Sequence, residues 1–346
     1  MLLAAAGSAS AASWEFLVYG DTRSGTGAPY DYNGVNTLIL GELATRTVAE
    51  SPAFVLVTGD LVNSGNLSSF QTWQSTMSSV YNAGIGVMPV AGNHDTADLT
   101  SFKSMFITGN SFLAAHSGVV DSTPGDGRSW AFTYSGALFL GLDNYTSGAN
   151  EQVNQSFVNA QLAARNPSAT PLLFGLAHEP AFKVGPDNGM EQYPAQRNTF
   201  WSSMQTAGAR QIFFGHDHLF TDARMADNPT DNDPNNDIHQ VVVGTGGAPF
   251  HTLSYTGNTG SWTAADVTSA QSQYGYVRDV VDDTAHTVTQ TWVYRTAPGV
   301  YQDGYSYTYT YAMVPEPASL SLLAVGALAL IAFPLTHGKK TPKGTE

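Results

Sequence analysis

Five apolar runs in this chain each end on an oxygen or nitrogen donor, and that arrangement constrains the fold more than any other feature. WEFLVYG leads to Asp21, AFVLVTG to Asp60, IGVMPVAG to Asn93-His94-Asp95, PLLFGLA to His178, and RQIFFG to His216-Asp217-His218. Runs of four to eight apolar residues closed by glycine or a polar turn predict buried β-strands. An open α/β sheet places its crevice outside the carboxyl ends of its strands. Donors separated by almost two hundred positions can therefore meet at one site.

Between the strand-like runs lie helix-like ones. In GVNTLILGELATRTVAE, residues Val35, Leu38, Ile39 and Leu43 recur at helical spacing. Residues 66–83 predict a second helix, with Leu67, Phe70, Trp73, Met77 and Val80 on one stripe, and 150–165 and 193–207 predict two more. WAFTYS and LFLGLD read as two strands joined at Gly136. From Ile238 onward the pattern turns strand-rich: IHQVVVG, YGYVRDVV, HTVTQTWVYR and YSYTYTYA. The aromatic alternation at 301–311 fits a strand better than a carbohydrate platform. Those late strands need a surface to cover them, so the expectation is an α/β fold with a second sheet packed on the first and helices outside. No repeat or linker divides residues 13–313, which read as one domain.

The formal charge of −14 over 346 residues argues against a nucleic-acid partner, because no basic patch is available to release phosphate counterions. Absence of cysteine excludes disulfides, thiolate ligands and a cysteine nucleophile. Residues 222–237 hold five aspartates and four asparagines in a loop-like stretch. A Ca²⁺ site using Asp231, Asp233 and Asp237 is conceivable there, but the glycine and terminal glutamate of an EF-hand loop are missing, which favours a solvated loop.

The two ends read as addresses. Residues 1–12, MLLAAAGSASAA, have the small-residue end of a signal peptide but no basic start, so they are expected to be a remnant of one. Residues 318–335 carry no charge and, as a helix, reach about 27 Å, enough to span a bilayer. Lysines 339, 340 and 343 follow, which puts that end in the cytoplasm and the acidic body on the other side. Pro315-Glu316-Pro317, the apolar run and the basic end together resemble the PEP-CTERM sorting signal of Gram-negative bacteria over residues 314–346. That resemblance implies an exosortase-type sorting enzyme as a partner; an ordinary single-pass anchor is the alternative. Either places the body on the periplasmic face of the membrane or outside the cell.

The donor set has its own chemistry. A phosphate ester resists attack because its oxygens are negative and water is a poor nucleophile; two cations a few ångströms apart draw off that charge and hold a bridging hydroxide in line. Such a site needs a carboxylate able to bridge, with imidazole and amide donors to complete coordination. Asp21, Asp60, Asn93, His178, His216 and His218 supply those types. The glycines before Asp21, Asp60, Asn93 and His216 are expected to provide the turns that aim them.

Gly-Asn-His-Asp followed by Gly-His-Asp-His resembles the calcineurin-like metallophosphoesterases, which include purple acid phosphatases and cyclic-nucleotide phosphodiesterases; the similarity runs from residue 14 to about 250. The resemblance implies two packed mixed sheets flanked by helices and two metal ions, drawn from Mn, Fe, Zn or Co. It implies that Asp60 bridges them, that Asp21 and His218 bind the first, and that Asn93, His178 and His216 bind the second. It also implies that His94 contacts a phosphate-ester substrate and protonates the leaving oxygen, with Asp95 orienting its ring. Two positions depart from the family pattern: Arg23 where many members carry a histidine ligand, and Asn63 where purple acid phosphatases carry a tyrosine. The first metal is thus expected to bind more weakly. Arg23 would either clamp a substrate phosphate or serve a structural ion pair. The expected function is an exported phosphate mono- or diesterase; the competing one is a surface or biofilm-matrix protein that keeps the scaffold for binding.

Overall fold

A computed structural model describes residues 13–311 except 26–29, 122–126, 147–148, 228–232, 255–260 and 271. The signal-like start and the sorting-signal-like end lie outside the described residues, and with them the apolar run 318–335. Among the described residues no helix is long and apolar enough to cross a membrane.

Two mixed sheets pack face to face. The first has six strands in the order 300–310, 287–297, 275–282, 13–19, 54–57, 86–89. The second has eight, in the order 263–270, 220–226, 238–243, 211–214, 172–176, 137–141, 130–134, 119–120. Strands ending on donors run parallel to their neighbours: Ser13–Tyr19 with Phe54–Val57, then with Gly86–Pro89, and Leu172–Leu176 with Gln211–Phe214. Their carboxyl ends therefore open on one side of the sandwich. In the first sheet Ser13 pairs with Asp282, Asp282 with Thr287, and Thr287 with Thr310, so these residues form one row at the opposite end.

Side chains alternate across each strand, which explains why the runs are apolar throughout. Phe132, Phe139, Phe174 and Phe213 come from four adjacent strands and stack as a ladder, with successive centroids 5.0, 4.9 and 6.4 Å apart. Phe16 and Phe54 of the other sheet meet that ladder edge-on, at 5.3 Å and 5.0 Å from Phe139. Edge-to-face pairs of this kind add about 0.5–1.5 kcal/mol beyond the area they bury. The intervening residues Leu138, Leu140, Leu173, Ile212 and Phe214 face outward, onto Phe157, Phe200, Trp201 and Met204 of helices Gln155–Ala164 and Pro194–Thr206. Helices Thr37–Glu50 and Leu67–Thr76 contribute Ile39, Leu40, Leu43, Phe70 and Trp73 to the cluster that includes Leu17 and Val55. The layers are helix, sheet, sheet, helix.

Local boundaries differ from the sequence expectation for identifiable reasons. Val35 and Asn36 belong to a two-residue strand, and the Asn36 side chain caps the helix by accepting from the Ile39 amide. The helix expected over 66–83 breaks at Met77, directly after a turn in which Thr72 and Thr76 donate their hydroxyls to carbonyls four residues back. The acidic stretch is not wholly loop. Asp222 lies in a strand, buried, and is bonded to His239 and Gln290; Asp237 is paired with Arg224, so neither is a spare Ca²⁺ ligand. Asp231 falls outside the described residues.

Candidate metal centre

All six predicted ligands meet where the strands end, and several are held in unusual backbone conformations. Asp21, Asp60 and His216 have φ of 53°, 51° and 69°, in the left-handed region that costs a non-glycine residue of order 1 kcal/mol or more. The turns thus fall on the ligands themselves. Of the four preceding glycines only Gly59 has positive φ (98°), and Gly92 and Gly215 serve a different need. A Cβ on Gly92 would sit 2.2 Å from Asp60 Oδ1, and one on Gly215 would sit 2.4 Å from Asp21 Oδ2. Glycine is there to let the carboxylates lie against the neighbouring strand end.

Hydrogen bonds fix which atom each histidine presents. His178 Nδ1 lies 2.7 Å from the Thr58 carbonyl and His216 Nε2 lies 2.8 Å from the Asn188 carbonyl. A carbonyl only accepts, so those nitrogens carry the protons, and His178 Nε2 and His216 Nδ1 keep their lone pairs. Both lone pairs point at Asn93 Oδ1, at 3.0 Å and 3.2 Å, and His178 Nε2 is 3.5 Å from Asp60 Oδ1. With both rings in these neutral tautomers and the Asn93 oxygen turned toward them, acceptors face acceptors, which suits a cation. Burial drives His178 down to about 4, and burial, then His251 and Arg23, drive His218 down to about 2, so both rings are neutral ligands at ordinary pH.

The other half of the cluster is Asp21, His218 and the second oxygen of Asp60. His218 Nδ1 is tied to the Pro249 carbonyl at 2.6 Å, leaving Nε2 3.6 Å from Asp21 Oδ1. Burial, and then the charge of Asp60, push Asp21 well above the ordinary carboxylate range. Two buried carboxylates this close need a cation to keep both ionised. Asp21, Asp60 and His178 offer donor atoms within 4.8 Å of one another, as do Asp187, Asp217 and His251 beside them. The residues present thus fit a metal centre. Arg23 also enters it: its guanidinium is 3.2 Å from Asp60 Oδ2, 3.2 Å from Asn63 Oδ1 and 3.3 Å from His218 Nε2.

His94 lies at the rim, 31% exposed, with Nδ1 2.8 Å from the Asn63 carbonyl and Nε2 3.9 Å from Asp60 Oδ2. Here one expectation fails. Asp95 does not orient the His94 ring; Asn63 does, through its carbonyl. Asp95 is fully buried, and its carboxylate accepts from the backbone amides of Leu61, Val62 and Gly92. It ties the loop carrying Asp60 to the loop carrying Asn93. Burial, and then the Asp60 charge, raise its pKa well above the usual range.

A groove of about 450 Å³ opens from Asn93 and His216 and is lined by Thr96, Tyr145, Glu151, Glu179 and Asn188. Several supports carried no sequence signal. Asn144 Oδ1 accepts from the amides of His178 and Glu179; Tyr145 donates to Glu179 at 2.7 Å, and burial raises Glu179 to about 8. His251 lies against His218, with ring centroids 3.9 Å apart and planes tilted by 30°, and its Nδ1 accepts from the His218 amide. Arg197, on the helix Pro194–Thr206, is buried, its guanidinium 4.9 Å from the Phe182 ring centroid.

A two-sheet sandwich with this donor cluster at its strand ends is the architecture of a metallophosphoesterase domain. The chain belongs to the calcineurin-like phosphoesterase family, whose sequence model matches residues 16–220. The fold is shared with purple acid phosphatase PPD1 from yellow lupin (Lupinus luteus) seeds: TM-score 0.63, 16% identity, 86% of this chain and 54% of that one covered. PhoD is similar at TM-score 0.59 and 12% identity, with 89% and 72% covered. A dimetal phosphatase from Danio rerio gives 0.50 and 12%, with 86% and 99% covered. This chain spans about half the length of the lupin enzyme. No curated protein matches it by sequence. The family and the donor set imply a two-metal centre.

Proposed function

We propose that the protein hydrolyses phosphate mono- or diesters outside the cytoplasm, using two divalent or mixed-valence metal ions held by Asp21, Asp60, Asn93, His178, His216 and His218. The observation that carries this is the convergence of Asp60 Oδ1, Asn93 Oδ1, His178 Nε2 and His216 Nδ1 as acceptors facing one another. Such metals, when bound, neutralise phosphoryl charge and acidify water. The protein's own groups do the rest. Asp60 sets the centre of the cluster, its Oδ1 steadied by the His94 amide at 2.9 Å. His94, tied through Nδ1 to Asn63, can give up a proton only from Nε2, the atom turned to the cluster. It therefore acts as the acid for the leaving oxygen when protonated there. The groove beside His216 receives the leaving group.

Placement outside the cytoplasm is supported by the acidic body, the uncharged stretch 318–335 and the lysines after it. Fractionation of cells making the full chain would test it, and recovery of the protein in the cytosol would refute it. The catalytic proposal is tested with an aryl phosphate and a bis-aryl phosphate, with and without chelator. Turnover of at least one, lost on chelation and in Asp60→Ala, is expected. Metal-loaded protein inert toward both across a broad pH range would refute it.

A further inference from the structure

The two halves of the metal cluster differ in what already stands among their donors. On the Asn93 side, the lone pairs of His178 and His216 meet Asn93 Oδ1 and Asp60 Oδ1 with no cationic side chain between them. On the Asp21 side, one guanidinium reaches three acceptors at once. Arg23 Nε donates to Asp60 Oδ2, Nη1 to Asn63 Oδ1 and Nη2 to His218 Nε2, all at 3.2–3.3 Å. His218 Nδ1 is committed to the Pro249 carbonyl, so Nε2 is its sole lone pair, and Arg23 takes it. Asp60 Oδ2 is the oxygen left to face this side once Oδ1 serves the other.

Arg23 is fixed there by its own backbone. Its amide donates to the Asp60 carbonyl at 3.1 Å, and it forms a β-bridge with Val35. The side chain is 13% exposed, so the guanidinium has left bulk water and is held by these acceptors. A divalent ion bound by Asp21, His218 and Asp60 would need the same His218 lone pair and the same Asp60 oxygen. It would also lie within a few ångströms of a permanent positive charge in a low-dielectric setting.

We propose that Arg23 is a resident cation of the first metal position, so that the cluster fills in two unequal steps. One ion binds tightly through Asp60, Asn93, His178 and His216. A second binds only by displacing the Arg23 guanidinium from His218 and Asp60. With a single ion bound, the guanidinium supplies the positive charge beside Asp60 that a second ion would otherwise bring. This rests on the metal-centre reading above but not on the identity of the substrate.

The test is a Mn²⁺ titration of the chelator-stripped full chain, followed by calorimetry and electron paramagnetic resonance. In the wild type the second ion is expected to bind at least roughly 100-fold more weakly than the first. The spectrum at one equivalent should show isolated Mn²⁺. In Arg23→His the two affinities are expected to draw within about tenfold, with a spin-coupled pair at two equivalents. Arg23→Ala should also strengthen the second step. Two ions of near-equal affinity in the wild type would overturn the proposal, as would Arg23 variants that are folded by circular dichroism yet leave the second step unchanged. If a variant does not fold, the wild-type titration alone decides. Uptake of no ion would overturn the metal-centre reading together with this one, whereas two equal ions would overturn this one alone.

Discussion

Removing the Asp95 carboxylate should damage the scaffold of the metal centre before it damages the chemistry. In Asp95→Ala the buried amides of Leu61, Val62 and Gly92 lose their shared acceptor. A buried donor left without a partner costs about 1–3 kcal/mol. With water entering the space to satisfy part of the set, the total is about 3–6 kcal/mol. For a domain of this size that corresponds to a melting temperature lower by roughly 6–20 °C. Asp95→Asn keeps one oxygen for Leu61 and Val62 and turns an amide nitrogen toward the Gly92 N–H, so it should lose about 1–2 kcal/mol. Because the Asp60 and Asn93 loops are joined through this side chain, metal affinity should fall about 10- to 100-fold in the alanine variant. Thermal unfolding read beside metal content checks both. An Asp95→Ala protein with unchanged melting and metal uptake but crippled turnover would refute this account and restore a direct role toward His94.

His94→Ala should cut turnover roughly 100- to 10,000-fold while leaving metal content intact, since its ring lies at the rim, 3.9 Å from Asp60 Oδ2; metal analysis beside kinetics distinguishes this from loss of the centre. Asp279 is fully buried in the first sheet, with Oδ1 accepting from Gln211 and Oδ2 unpartnered. Burial, with Asp222 contributing less, holds its pKa well above 3.8. The native state then binds this proton more tightly than the unfolded chain does. This group's contribution is therefore favourable at low pH and is lost as pH climbs from about 4 toward the raised value. Asp279→Asn should melt higher than wild type at pH 8 and show a flatter pH dependence between 5 and 8. Equal slopes in the two proteins would contradict that.

The strand ends were legible because their chemistry limits the residue types: few arrangements other than a metal cluster need Asp, Asn and His after buried apolar runs. The layered fold was legible for a related reason. LFLGL and LLFGL are apolar at every position because Phe139 and Phe174 face one layer while Leu138 and Leu173 face another. What stayed hidden depends on contacts far apart in sequence. Nothing local in Gly-Asn-His-Asp says that Asp95 turns from its neighbour to amides more than thirty residues earlier. The positive φ of Asp21, Asp60 and His216 is imposed by the packing of strand ends against one another, and aspartate tolerates that region without advertising it. His251 had no motif, and its place beside His218 is set by a reciprocal pair of hydrogen bonds: its amide donates to the His218 carbonyl and its Nδ1 accepts from the His218 amide. Arg23 was visible as a departure from the family pattern. The direction of its fork, toward the acceptors of Asp60, Asn63 and His218, was not.

The row of Ser13, Asp282, Thr287 and Thr310 across the first sheet bears on the proposed placement outside the cytoplasm. The strand from Ser13 to Tyr19 separates that row from the Asp21 end by about 20 Å. Ser13 and Thr310, near the two ends of the described chain, therefore both lie at the pole opposite the donors. A tail held fast there would point the mouth of the groove outward, toward solutes arriving from the medium and away from the surface that holds it.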